Sequence, residues 1–289
     1  MRKIGLIVDE TASLPKEIIE KYEMVIVPYL VDWREGDNLP GENLFQKMRE
    51  AGRRGIKSLP KTSQASPWTF KKIFEEELRR CEKILSITLS SKLSGGYNSA
   101  LQGKAMLPEK EQDKVYIIDS LNITVSEGLF AIKGAELIKK GKSIEEILNE
   151  LKGLIPEIHL FGMLEDPKWT EAGGRLSHPL AVLIRKMQKI GMRPLIGLKK
   201  GEVKSVALKM QARDVPTALF KELKKEIGEK KVRVAIGHAD NLKGAQKLKE
   251  MIEKELPKIE IAFLNLIDPI IGVHVGPGTL VLAWHESID

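Results

Sequence analysis

The 289-residue chain is predicted to be an α/β protein of two domains, a doubly wound, mostly parallel sheet domain and an α+β domain with a largely antiparallel sheet. Three observations predict this. Short apolar runs alternate with helix-like periodic segments as far as about residue 155, the pattern of a parallel sheet with helices on both faces. Beyond Pro156 the alternation fails. There Arg193–Leu198 and Val203–Met210 flank Lys199-Lys200-Gly201-Glu202, a hairpin signal rather than a βαβ unit. The length is also too great for one small core and comfortable for two domains. The boundary is placed at residue 160, giving domains 1–160, with Thr62 and Ser94, and 161–289, with Arg175 and His274.

Ile4–Val8 is a continuous apolar run and reads as a first strand buried on both faces. Asp9–Ser13 is a polar loop at its carboxyl end, and Ser13 and Pro15 fit the first turn of a helix reaching Tyr22. Met24–Leu30 reads as a second strand, Asp32–Gly41 as a loop and Glu42–Gly52 as a helix. Ser66 as N-cap and Pro67 at the first helical position start the helix Trp68–Arg80. Ile84–Leu89 is the next strand, and it runs into Ser90-Ser91-Lys92-Leu93-Ser94-Gly95-Gly96 before a helix over Tyr97–Met106. Val115–Asp119 is a strand, Ser126–Lys140 a helix closed by Gly141, and Ser143 with Glu146 a capping box for the helix after it. The second half supplies strands Ile158–Leu164, Val232–Gly237, Ile259–Leu264 and Gly278–Trp284, besides the hairpin. Its helices are Pro179–Ile190, Pro216–Glu229 and Leu242–Glu255, and Glu165–Ser177 is loop-rich.

Composition narrows the function. The formal net charge is +7 and the pI near 9.2, yet Lys and Glu are interleaved, as in Glu222-Leu223-Lys224-Lys225-Glu226, which marks solvated helix faces. Nucleic acid is therefore not an expected partner. No apolar run approaches the roughly 20 residues that span a bilayer, the N-terminus lacks a signal-like apolar region, and the lone Cys81 forms no intrachain disulfide. The expected compartment is the cytoplasm.

The motifs point to holding rather than to chemistry. A strand that runs through Ser90, Ser91 and Ser94 into a helix start is where open α/β folds place ligands. Free N–H groups at such a start favour an anionic or carbonyl oxygen. Thr62-Ser63-Gln64-Ala65-Ser66-Pro67 is partly explained by capping, which accounts for Ser66 but not for Thr62 or Ser63. His274 stands in an apolar run beside Gly276-Pro277-Gly278 and is either a satisfied structural histidine or a donor to a carboxylate. Arg175, in Gly173-Gly174-Arg175-Leu176-Ser177, is either solvated or paired with phosphate or an acidic partner. The chain has no G-x-G-x-x-G, no phosphate-binding P-loop, no H-E-x-x-H and no G-x-S-x-G. Its five histidines are scattered, so no metal site follows from spacing.

Taken together, the chain resembles the DegV family of bacterial fatty-acid-binding proteins. The resemblance spans essentially its whole length and rests on Ile7–Ala12, Thr62–Pro67, Ser90–Gly95, Val115–Ser120, Gly174–Ser177, Arg193-Pro194-Leu195, Lys200-Gly201 and His274–Thr279. It implies a two-domain protein that encloses one long-chain fatty acid between its domains, without a cofactor or metal. It also implies a non-catalytic carrier subunit that presents the carboxylate to a fatty acid kinase for acyl phosphate formation. By position, Thr62, Ser94 and His274 would hold the carboxylate, with Ser63, Ser91 and Gly95 in the supporting loops. Arg175 would contact the kinase or its phosphates, and transient contact with a membrane surface fits the same role. The chain departs from the family pattern at Glu10, Ala65 and Gly96, and Glu10 brings a charge to a proposed anion site. A small-molecule phosphotransferase or hydrolase using Ser94 or His274 is the alternative from another class.

Overall fold

A computed structural model describes residues 2–209 and 214–287. Twelve strands are present among them: β1 Arg2–Asp9, β2 Val25–Val27, β3 Leu30–Asp32, β4 Lys61–Ser63, β5 Cys81–Thr88, β6 Val115–Asp119, β7 His159–Met163, β8 Arg193–Lys199, β9 Glu202–Lys209, β10 Val232–His238, β11 Glu260–Leu266 and β12 Leu280–Glu286. The chain divides into two compact units. The first comprises Met1–Leu30, Ser63–Ile158 and Lys200–Glu202; the second comprises Val31–Thr62, His159–Lys199 and Val203–Asp289. Thr62, expected in the N-terminal domain beside Ser94, thus belongs with His274 in the second unit. The reason is that the chain leaves the first unit after Leu30 and returns only at Ser63, an excursion that the strand–helix alternation did not reveal.

The first unit is built on a four-stranded sheet in the order β2-β1-β5-β6, parallel at every pairing. Its central strands are apolar on both faces, and Ile7, Val8, Ile84, Leu85 and Ile87 are buried, as parallel strands covered by helices require. The helix Thr124–Lys139 lies on β5, where Gly134 approaches Ile87 and Leu85. The helices Pro67–Leu78 and Gly96–Ala105 meet at Phe70 and Gly103. Ser66 Oγ accepts the Thr69 N–H at 3.1 Å, and the Ser143–Glu146 box closes reciprocally at 2.8 and 3.2 Å, as expected from sequence.

One expected strand is broken. Met24–Leu30 reads as continuous, but β2 ends at Val27 and β3 begins at Leu30. Pro28 has no N–H to give a ladder, and the Tyr29 N–H donates to the Glu10 carboxylate instead. The break turns Tyr29 into the interior.

The second unit carries a six-stranded sheet in the order β11-β10-β12-β7-β8-β9. It is antiparallel from β10 through β12 and β7 to β8, and parallel between β10 and β11. The helices Val215–Ile227 and Leu242–Glu255 bury Leu219, Leu223, Leu248 and Ile252 together with Val234, Ile236, Leu282 and Trp284. The expected hairpin is present as β8 and β9, with positive φ at Lys200 and Gly201, the backbone that a tight two-residue turn needs. Of the expected strand Val203–Met210, Met210 lies outside the described residues. Four short helices among the described residues went unread in the sequence, Arg34–Asp37, Glu109–Gln112, Lys168–Ala172 and Pro269–Val275; all are too short to show periodicity.

Candidate functional site

His274 is placed by the helix Pro269–Val275. Asp268 caps it, its carboxylate accepting the Ile271 N–H at 3.0 Å, and Pro269 occupies the first helical position. At the other end Thr279 Oγ1 donates to the Val275 carbonyl at 2.8 Å. Gly276, at φ 76°, ends the helix against Trp169, in a conformation costly for any residue with a β-carbon. Phe45, on the helix Leu44–Arg53, packs against Gly272 of the same segment. The His274 ring is therefore fixed from both ends of its helix and from behind.

Thr62, at the middle of β4, meets that ring: Thr62 Oγ1 and His274 Nε2 are 2.9 Å apart. The other ring nitrogen, Nδ1, has no hydrogen-bond partner among the described residues and faces Gly173. A β-carbon at Gly173 would stand 2.2 Å from it. A buried N–H without an acceptor is rarer and costlier than a bare lone pair. The proton of the neutral imidazole therefore sits on Nε2 and is donated to Thr62, which leaves the threonine's own hydroxyl hydrogen for a ligand. The ring is neutral because burial, and secondly the nearby positive charge of Arg175, hold its pKa down to about 4.

These groups open into a cavity of about 540 Å³ within the second unit, inside the usual range for small-molecule pockets. Lys61, Thr62, His274 and Arg175 supply its polar side, and Leu59, Trp169 and Val273 are among its apolar walls. The Arg175 guanidinium donates to the Gly173 carbonyl of its own turn. The structure thus brings together three of the expected residues, Thr62, His274 and Arg175.

Ser94 lies in the first unit, in the loop between β5 and the helix Gly96–Ala105. Its hydroxyl oxygen accepts the Gly96 N–H at 3.2 Å, and Gly96 lies close against the Tyr29 hydroxyl. Of the supporting residues, Ser91 has its N–H on Asp119 at 3.1 Å, Gly95 stands at the helix N-cap close to Gln64, and Ser63 is exposed. Ser90 is structural: it is fully buried and donates to the Gly201 carbonyl at 2.7 Å. The polar loop after β1 turns inward. Thr11 reaches both Asp9 and Glu127, so Asp9 and Thr11 belong to a buried network, while Glu10 binds the Tyr29 N–H.

Sequence reasoning did not single out Trp169, Gly173 or Tyr29. The proline before Tyr29 and the double glycine at 173–174 are the local signals that mark two of them. Among the described residues, no cluster of three or more His, Cys, Asp or Glu side chains forms a metal site, and no helix is long and apolar enough to cross a membrane.

A parallel-sheet unit and a mixed-sheet unit, the second with a cavity that carries polar and apolar walls, define a two-unit α/β protein. The profile described as "Uncharacterised protein, DegV family" matches residues 3–287, and the chain belongs to the DegV family. It is 31% identical over 293 aligned positions to a protein of Thermotoga maritima named fatty acid-binding protein, covering 96% of each chain. A solved Thermotoga maritima structure, described as revealing fatty acid binding function, superimposes with a TM-score of 0.79 at 27% identity, covering 99% of this chain and all of that one. A DegV family protein from Thermus thermophilus, described with fatty acid binding, has a TM-score of 0.85 at 23% identity over 99% of this chain and 100% of its own. That last likeness speaks for the fold.

Proposed function

We propose that this protein binds one long-chain fatty acid and serves as a non-catalytic carrier, presenting the carboxylate to a fatty acid kinase for conversion to acyl phosphate. The observation that carries the reading is the Thr62–His274 pair at 2.9 Å, set in a cavity that Lys61 and Arg175 also line and whose apolar walls include Leu59, Trp169 and Val273. Thr62 and His274 of the second unit and Ser94 of the first are the proposed head-group residues, with Ser63, Ser91 and Gly95 in support. A desolvated carboxylate needs several donors. The acyl tail contributes roughly 0.8 kcal/mol per buried methylene, so the tail sets affinity and the polar end sets orientation. What supports this is the fatty-acid-binding name of the Thermotoga maritima relative at 31% identity.

A carrier reading suits the imidazole as well. Its partner is Thr62, and its second nitrogen faces a glycine rather than an orienting carboxylate, so the arrangement lacks the base-and-orienter pairing of a nucleophilic triad. Arg175 is proposed as the contact for the kinase or its phosphates, and a membrane surface as the transient source of the lipid. No cofactor enters the proposal, and the cytoplasm is the proposed compartment.

Native mass spectrometry of the purified protein is expected to show one fatty acid per chain. Repeated absence of lipid after exposure to oleate and palmitate would refute the proposal. Ser94→Ala and His274→Ala are expected to retain lipid while slowing acyl phosphate formation with a cognate kinase. Equal loss of retention and phosphorylation would contradict that division of labour.

A further inference from the structure

The segment that carries His274 is held by side chains of one helix, Leu44–Arg53. There Phe45 and Arg49 stand four residues apart and so share a face. Phe45 packs against Gly272, on the near side of His274. Arg49 acts beyond its far side. Arg49 Nη1 and Nη2 donate to Glu165 Oε1 and Oε2 at 2.9 and 3.1 Å, and its Nε lies 3.5 Å from Asp240 Oδ2. The other Asp240 oxygen accepts from Gln46 Nε2 at 3.5 Å, again from this helix.

The two carboxylates hold the turn that follows His274. Glu165 lies directly on Gly278, where a β-carbon would stand 1.7 Å from Oε2. Asp240, at φ 55°, sits in a conformation uncommon for residues other than glycine, and its two neighbours grip the same glycine. The Gly278 N–H donates to the Ala239 carbonyl at 2.6 Å, and Asn241 Nδ2 donates to the Gly278 carbonyl at 3.0 Å. Glu165 also stands four residues before Trp169, which closes on Gly276 and lines the cavity. Within the second unit, the stretch Val31–Thr62 thus meets residues 272–278 at three points: Phe45 on Gly272, Thr62 on His274 and Arg49, through Glu165, on Gly278. The Arg49 side chain is 34% exposed and that of Glu165 47%, and at such exposure an ion pair adds little stability. What the guanidinium supplies is geometry, because its paired N–H groups fix a carboxylate plane as a single ammonium does not.

We propose that Arg49 is a positioning residue: through Glu165 and Asp240 it fixes the Gly276–Gly278 turn, and so keeps the His274 ring at hydrogen-bond distance from Thr62 for a ligand head group. The inference rests on the reading of Thr62 and His274 as head-group residues. Arg49 itself does not line the cavity that they share, so it acts on the pair and not on the ligand.

The test uses Arg49→Lys, which keeps the charge and loses the fork, so an effect of charge alone is not mistaken for positioning. In lipid-free protein, the His274 imidazole N–H is identified by nuclear magnetic resonance through its absence in His274→Ala. In Arg49→Lys it is expected to exchange with water about tenfold faster than in wild type, the scale on which a lost hydrogen bond acts. A second arm loads the protein with palmitate labelled at its carboxyl carbon. The carboxyl resonance in Arg49→Lys is expected to move by at least half the displacement that His274→Ala causes, with the lipid still bound. Adding Arg49→Lys to His274→Ala is expected to move it no further, since residues that act through one group are not additive. An unchanged exchange rate or an unmoved resonance overturns the inference. So does an equal displacement with and without His274, the mark of general loosening. Faster exchange in a protein that takes up no palmitate supports the role of Arg49 and overturns the fatty-acid reading alone.

Discussion

At the scale of single residues, the site is a matter of where hydrogens are held. Gly173 leaves the space into which His274 Nδ1 faces, and a β-carbon would stand 2.2 Å from that atom. Gly173→Ala is therefore expected to displace the ring from Thr62 and to destabilise the fold by about 1–3 kcal/mol, the usual cost of overpacking. Urea unfolding, together with lipid content after purification, checks both effects. The neutral state of His274 gives a second prediction. Its pKa in the folded protein lies at about 4, below the ordinary 6.5, through burial and the Arg175 charge. As pH falls through 6.5 the unfolded chain takes up a proton that the folded ring refuses. Stability is then lost until the folded ring also titrates near pH 4. Lipid-free wild type should lose about 2 kcal/mol more over that interval than His274→Gln. Parallel stability profiles for the two proteins would contradict the assignment.

At the scale of elements, local signals were legible where they are self-contained. Ser66 and Pro67 announce a helix start by capping and by fixed φ, and the helix Pro67–Leu78 begins there. Ser66→Ala removes the acceptor for the Thr69 N–H at 3.1 Å and is expected to cost about 1 kcal/mol, measurable as a lower urea midpoint with an unchanged slope. The Lys200-Gly201 turn and the Ser143–Glu146 box were readable for the same reason. The apolar run Met24–Leu30 was misread because hydrophobicity alone does not register a missing N–H. Pro28 ends the ladder and frees Tyr29 to reach Asp9. The helix Pro269–Val275, seven residues long, buries Ile270, Ile271 and Val273 in a nearly continuous apolar run, so no periodicity marks it.

At the scale of the whole molecule, a ligand that binds only the folded protein stabilises it by mass action. At a free concentration a hundredfold above Kd, a fatty acid is expected to add about 2.7 kcal/mol. Delipidated protein should therefore melt lower than protein purified with its lipid, and oleate should restore the difference in a dose-dependent way. A melting temperature indifferent to lipid would argue against the proposed ligand. The division into two units adds a structural consequence. Thr62 and His274 share a unit with Arg175 and the cavity, so substitutions such as Leu223→Ala in that unit's core are expected to disturb this pair. Ser94, whose hydroxyl accepts the Gly96 N–H, answers to the core of the first unit.

The amino-acid sequence by itself determined the class of fold, because strand–helix alternation, caps and turns are encoded within a few residues of one another. It also determined the family, through short motifs spread over the whole chain; capping and turn chemistry left Thr62 and Ser94 unexplained, and the resemblance marked His274 and Arg175 beside them. Only the tertiary structure decided that Thr62, more than two hundred positions before His274, is its hydrogen-bond partner, and that Thr62 belongs to the second unit. It alone decided that Tyr29 meets Asp9 and lies against Gly96. The physical reason is that a hydroxyl's direction depends on which buried neighbours can accept or donate. Those neighbours are brought together by packing across distant segments and leave no periodic trace along the chain.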